Sequence, residues 1–132
     1  MKAIDTNILI RFITKDDENQ ANLIYQLFKQ TEEKNDQLFV PLLVVLEVIW
    51  VLQSCYGVSN ADILSTFSDL LLMPILLFES EEVIRNFIDS AYNTKFDLSD
   101  VLIAHSAHSS DCQSVLTFDK TASKFKYFEL LK

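Results

Sequence analysis

The sequence predicts an α/β fold, a sandwich of helices around a mainly parallel sheet. Three observations lead there. Short apolar runs that suit strands (Met1 to Asp5, Leu38 to Val40, Ile75 to Phe78, Ser114 to Phe118, Tyr127 to Leu131) alternate with longer helical patterns, as parallel strands with crossover helices require. One glycine and two prolines in 132 residues leave too few turn formers for a β-sandwich. A hydrophobic share of 49% excludes a disordered chain and, at this length, suits one domain with its own core.

The first strand is short and ends in Asp5, where a carboxylate either caps the following helix or faces a ligand. Ile8-Leu9-Ile10 and Phe12-Ile13 make a short apolar helix carrying Arg11. Asp16 or Asp17 is expected to cap the next helix, whose apolar face is Ala21, Ile24, Tyr25, Leu27 and Phe28. The charged stretch Thr31 to Gln37 reads as its solvated end and a loop.

After the strand Leu38-Phe39-Val40, Pro41 suits the first turn of a helix. That helix, Leu42 to Leu52, is apolar on nearly every side and so is expected to be buried all round. Tyr56-Gly57 should end it. Ser59 or Asn60 caps a helix with Ile63, Leu64, Phe67, Leu70 and Leu71 on one face, and Met73-Pro74 breaks it. Ser80 with Glu81 and Glu82 opens a helix running through Phe87 to Ala91. Lys95 to Asp100 leads into another, from Val101 to about His108, and Lys120 to Phe125 makes a short last helix.

The net charge of −8 disfavours duplex nucleic acid held through phosphate neutralisation. Any nucleic-acid chemistry would need metal ions or a local basic patch. Cys55 and Cys112 have no motif spacing and read as small buried hydrophobes. The pattern of a signal peptide is missing, and the apolar stretch Leu38 to Leu52 is interrupted by Pro41 and Glu47, too short to span a bilayer. A reduced, cytoplasmic setting is the expectation, with no membrane partner.

Four acids ask for an explanation. Glu47 lies among Leu43, Val44, Trp50 and Val51, none of which can pair with it. Buried there, it would have to protonate, find a cation or face a cleft; an exposed edge is the bland alternative. Asp97 and Asp100 are one helical turn apart, either a capping box or a pair of site acids. Asp119 ends a strand as Asp5 does, flanked by Thr117 and Lys120, which either serve the site or do not. In a parallel sheet Asp5, Glu47, Asp100 and Asp119 can meet at one edge. Crowded carboxylates repel, and a divalent cation resolves the repulsion. Oxygen ligands without paired His or Cys select Mg2+ or Mn2+ over zinc. His105 and His108, one turn apart, read as solvated helix residues. With no glycine-rich phosphate loop, Gly-x-Ser-x-Gly motif or Cys–His pairing in view, metal-activated water attacking a phosphodiester is the leading chemistry.

Together, Ala3-Ile4-Asp5-Thr6-Asn7-Ile8-Leu9-Ile10-Arg11, the segment Leu42 to Leu52 around Glu47, Phe96-Asp97-Leu98-Ser99-Asp100-Val101-Leu102-Ile103-Ala104 and Leu116-Thr117-Phe118-Asp119-Lys120 resemble PIN-domain ribonucleases. Among these the likeness is to VapC-type toxins of bacterial toxin–antitoxin pairs, and it covers essentially the whole chain. It implies a three-layer sandwich over a single domain, residues 1–132, and a Mg2+ (or Mn2+) site of Asp5, Glu47, Asp100 and Asp119, with Asp97 as a frequent additional acid. Asn7 and Thr117 match polar positions that orient the acids, and Arg11 and Lys120 are candidate substrate contacts. The resemblance further implies single-stranded or loop RNA as substrate, a VapB-like antitoxin as inhibitor, and a homodimer. The sequence departs from the family at Lys95-Phe96-Asp97, at His105 and after Asp119, which bears on substrate choice and loop shape.

Rival readings fit less well. A haloacid-dehalogenase-type phosphatase needs an acid two residues after its nucleophile, where Asn7 stands. A phospho-receiver needs an acid after a central strand, but Leu38-Phe39-Val40 is followed by Pro41. A catalytically degenerate PIN-like binding module would not need to keep all four acids.

Overall fold

The computed structural model describes residues 1–132, all of the chain. It contains six α-helices and five strands, every strand pairing parallel, in two compact units: Met1–Glu81 and Glu82–Lys132.

The first unit runs β1 (Lys2–Ala3), α1 (Thr6–Thr14), α2 (Glu18–Glu33), β2 (Leu38–Val40), α3 (Leu42–Ser54), α4 (Asn60–Leu71) and β3 (Leu76–Phe78). Its sheet has the order β1-β2-β3, in a register that pairs Ala3 with Phe39 and Phe39 with Leu77. Each connection passes through two helices, which parallel neighbours require. The apolar stripes supply the core: Leu9 and Ile10 from α1, Ile24 and Phe28 from α2, and Ile63, Leu64, Phe67 and Leu70 from α4 are all buried. Tyr25, expected on the inner face of α2, is 67% exposed, and Thr31, expected in the solvated end, is buried and donates to the Leu27 carbonyl. The helix simply runs one turn further than the charge pattern suggests, and that turn rotates Thr31 inward.

Capping follows the sequence closely. Asp17 accepts from the Gln20 amide and Ser59 from the Asp62 amide. Pro41 heads α3 without a side-chain cap, and the Leu42 amide is taken instead by Glu79 Oε1 at 2.8 Å, from 37 positions along the chain. The burial of α3 departs from expectation. Val45, Val48, Ile49 and Leu52 are buried, whereas Leu43, Glu47 and Trp50 form an exposed stripe at i, i+4 and i+7. An all-apolar helix carries no record of which side meets its neighbours. Within this unit α1 and α4 both pack against α3, and Leu43 is left 78% exposed.

The second unit holds α5 (Glu81–Ala91, starting at the boundary), α6 (Leu98–Ser109), β4 (Val115–Thr117), a 3-10 turn (Ala122–Lys124) and β5 (Phe128–Leu130). Strands β4 and β5 pair in parallel, Val115 with Phe128 and Thr117 with Leu130. Val83, Ile84, Phe87 and Ala91 form the buried stripe of α5; Leu98, Val101, Leu102, Ala104 and His105 that of α6. The expected short helix after Lys120 is only the three-residue 3-10 turn.

Two expectations are corrected. Cys55 and Cys112 are exposed thiols, because both sit where a helix has just ended and the chain turns at the surface. His105 is buried rather than solvated: its Nε2 meets Ser90 Oγ at 2.7 Å, and its ring packs edge-on against Phe125 and Tyr127. Only His108 is exposed, stacked on Tyr127 at 4.1 Å. No helix is long and apolar enough to cross a membrane.

Candidate functional site

In the first unit the candidate residues are Asp5, Asn7, Arg11 and Glu47. Asp5 follows β1 by two residues and is the N-cap of α1 in extended backbone, its Oδ1 accepting from the Ile8 amide at 3.2 Å. The cap therefore occupies one carboxylate oxygen, and the other has no partner in the protein. Asp5 and Asn7 are exposed on the first turn, while Thr6 between them is buried, so the helix itself turns both outward. Glu47 stands on the exposed stripe of α3 with no hydrogen bond or ion pair. The bland alternative of an exposed edge thus describes its position; the buried, unpaired carboxylate does not occur.

Arg11 behaves differently from a free surface cation. Its Nε donates to Gln20 Oε1 at 2.9 Å, and its Nη1 donates to Tyr56 Oη at 3.0 Å and to Asp16 Oδ1 at 3.3 Å. Asp16 and Tyr56 were not candidates from the sequence. Asp16 reads there only as a possible cap, and Tyr56 is 45 positions from Arg11, beyond any local periodicity.

In the second unit the candidates are Asp97, Asp100, Thr117, Asp119 and Lys120. Asp97 caps α6, with Oδ1 accepting from the Asp100 amide at 3.2 Å. The return bond of a full capping box is not made, in keeping with the short arm of Asp100. Asp119 Oδ1 accepts from the Thr121 and Ala122 amides at 2.9 and 3.1 Å, opening the 3-10 turn. Thr117 Oγ1 accepts from the Asp119 amide at 3.0 Å, so this threonine fixes the backbone that carries the acid. Lys120 is exposed and makes no side-chain bond.

Asp100 is the acid whose electrostatics stand out. Partial burial holds its carboxyl above the usual carboxylate range, and the charges of Asp97 and then Asp119 push it the same way. The charges of Asp97 and Asp119 thus both reach Asp100. Burial, and after it the neighbouring Lys126 and His108, lowers His105 below its ordinary value.

Within either unit alone, no three His, Cys, Asp or Glu side chains converge closely enough to hold a metal ion. The donor chemistry still fits a hard divalent cation. The side chains are all oxygen donors, the capping acids each keep an oxygen without a protein partner, and both the burial of Asp100 and the charges beside it are of the kind a cation offsets.

A family model described as PIN domain matches residues 2–126. The VapC ribonuclease of Aquifex aeolicus (strain VF5) is 25% identical over 127 residues, which span 96% of this chain and 93% of that protein.

Proposed function

The chain belongs to the PIN-domain family, and from that premise we propose that it is a divalent-metal-dependent endoribonuclease, the toxin of a toxin–antitoxin pair. The observation that carries the reading is the PIN-domain match across residues 2–126, which takes in every one of the candidate acids. In the second unit the partly buried Asp100 also feels the charges of Asp97 and Asp119, a setting that suits a cation. The likeness to the VapC ribonuclease over nearly the whole of both chains supports the same substrate class.

In this reading Asp5, Glu47, Asp100 and Asp119 hold Mg2+ or Mn2+, with Asp97 as a further ligand or as the residue that keeps α6 in place. When bound, such an ion polarises a phosphoryl oxygen and makes water a competent nucleophile near neutral pH. The residues supply the rest. The caps at Asp5 and Asp119 tie one oxygen of each carboxylate to backbone amides and so aim the other. Thr117 holds the Asp119 backbone, and Asn7 sits on the same exposed turn as Asp5. Lys120 is a cation without a protein partner beside Asp119, suited to an RNA phosphate. Water adds to the phosphorus and the 3′-oxygen leaves with a proton, giving 5′-phosphate and 3′-hydroxyl ends.

A net charge of −8 makes a basic, disordered arm the natural inhibitor, its Arg or Lys neutralising the acids. A VapB-like antitoxin answers that description, and the toxin is read as a homodimer in the cytoplasm. The test is cleavage of a structured RNA with Mg2+, with Mn2+ and with EDTA, sequencing the ends. Loss of cleavage in EDTA and 5′-phosphate products are expected; cleavage undiminished by EDTA would sink the mechanism.

A further inference from the structure

The bonds of Arg11 join three segments of the first unit. The guanidinium leaves the last turn of α1 and reaches Gln20 in the first turn of α2, Asp16 in the loop between them, and Tyr56 beyond the end of α3. The Tyr56 hydroxyl accepts from Arg11 and donates to Asp16 Oδ2 at 2.7 Å, and Thr14 Oγ1 donates to Asp16 Oδ1 at 2.8 Å. Both Asp16 oxygens and the phenol proton are thereby used. Tyr56 is presented by a tight turn: Cys55 closes α3, and the chain's one glycine follows at φ 61, a conformation costly for other residues. The Val58 amide then returns to the Leu52 carbonyl at 2.9 Å.

The two helices tied in this way carry the unit's two candidate acids. Asp5 begins α1, six residues before Arg11 and about 9 Å away along the axis; Glu47 lies nine residues before Tyr56. Resting on the nuclease reading above, we infer that Arg11 is a positioning residue, which through Tyr56 and Asp16 fixes α1 against the end of α3 and so sets Asp5 relative to Glu47. The charges agree with a closed network. Tyr56, then Asp16, holds the guanidinium above its ordinary range, and Tyr56, then Thr14, holds the Asp16 carboxyl below the usual one.

The ion pair contributes little by itself, since the Arg11 and Asp16 side chains are 30% and 43% exposed. What matters is direction. A planar fork points fixed donors at Gln20 and Tyr56 at once, whereas a lysine ammonium is a point charge on a flexible stem that does not hold that geometry. The role also separates Arg11 from Lys120, whose charge has no internal partner.

The experiment compares the wild-type chain with Arg11→Lys, Tyr56→Phe and the double variant. RNA cleavage is measured across Mg2+ and salt concentrations, and backbone amide chemical shifts at Asp5 and Glu47 are recorded in parallel. A positioning role predicts that Arg11→Lys lowers kcat about tenfold and raises the Mg2+ needed for half-maximal rate, with KM for RNA and its salt dependence unchanged. Tyr56→Phe should give part of the same loss, and the double variant no more than Arg11→Lys alone, because both break one network. The amide shifts at Asp5 or Glu47 should move. Overturning results are a raised KM with a weaker salt dependence and unchanged kcat in Arg11→Lys while Tyr56→Phe is silent, which would make Arg11 a phosphate contact, or additive losses in the double variant. Should the wild-type chain cleave no RNA, the nuclease reading fails separately, and unmoved shifts at both Asp5 and Glu47 would then overturn the tie itself.

Discussion

Two junctions of this molecule use one device in different settings. At β1–α1, Asp5 stands two residues after the strand ends, and one carboxylate oxygen caps the helix that begins there. Two residues after β4, Asp119 does much the same, its Oδ1 holding the amides of Thr121, just before the 3-10 turn, and of Ala122, the turn's first residue. The supports differ. Asp5 heads a nine-residue helix anchored by buried Leu9 and Ile10, so its direction is set by a rigid element packed into a core. Asp119 heads a three-residue turn, and its backbone is held instead by Thr117, two positions before it. The corresponding position before Asp5 is Ala3, which has no polar group to offer. An acid can thus be aimed by the packing of the helix it heads or by a hydrogen bond back to the strand it ends.

The largest expected effect tests what the junctions share. Asp5→Asn and Asp119→Asn should each reduce cleavage by more than about a hundredfold, since even outlying partners of a metal site cost ten- to a hundredfold. Asparagine caps as well as aspartate, so urea unfolding should stay within about 0.5 kcal/mol of wild type. A variant that keeps its activity would remove that acid from the site.

Thr117→Val probes the difference. The swap is close to isosteric and removes the hydroxyl whose oxygen accepts from the Asp119 amide. Cleavage should fall about tenfold, the low end for a residue that orients a ligand. Ala3→Ser, which places a hydroxyl at the matching position of the other junction, should leave activity unchanged. Equal responses at the two positions would break the contrast.

Stability separates the junctions next. Asp5→Ala should cost about 1 kcal/mol, the usual loss of an N-cap. Asp119→Ala should cost less, because a turn of three residues has fewer backbone hydrogen bonds to lose than a nine-residue helix. Thermal melts of the two alanine variants decide the order.

The smallest effect is in pH. Asp100 has a folded-state pKa above its unfolded value, so the folded chain holds that proton more tightly. Its contribution to stability is fully present below the ordinary value of 3.8 and is lost as pH rises through the raised one. Asp100→Asn should therefore raise stability relative to wild type more at pH 7 than at pH 3. His105 has the opposite sign: with its pKa lowered, its contribution is present above 6.5 and lost as pH falls through the lowered value. Saturating Mg2+ should diminish the Asp100 difference by binding the folded chain, which melts with and without EDTA will read. A wild-type Tm indifferent to Mg2+ would count against a metal at these acids.

Local features are legible in the sequence alone. Strand runs, helix stripes and caps are written within a few residues, because hydrogen bonds from i to i+3 and side chains one turn apart fix them. Asp17, Ser59 and Asp97 cap where the sequence places caps, and Asp5 and Asp119 stand at strand ends as expected. The joins between distant segments emerge only when the chain is packed. The exposed stripe of α3 at Leu43, Glu47 and Trp50 could not be read from a helix apolar on every side. His105 is taken inside by Ser90, Phe125 and Tyr127, residues 15 to 22 positions away whose approach no periodicity encodes. The same holds for Glu79 supplying the cap that Pro41 lacks, and for Tyr56 completing the bonds of Arg11. A side chain's partners along its own helix are fixed by geometry one turn long, while its partners across the fold depend on which surfaces the packed core leaves facing each other.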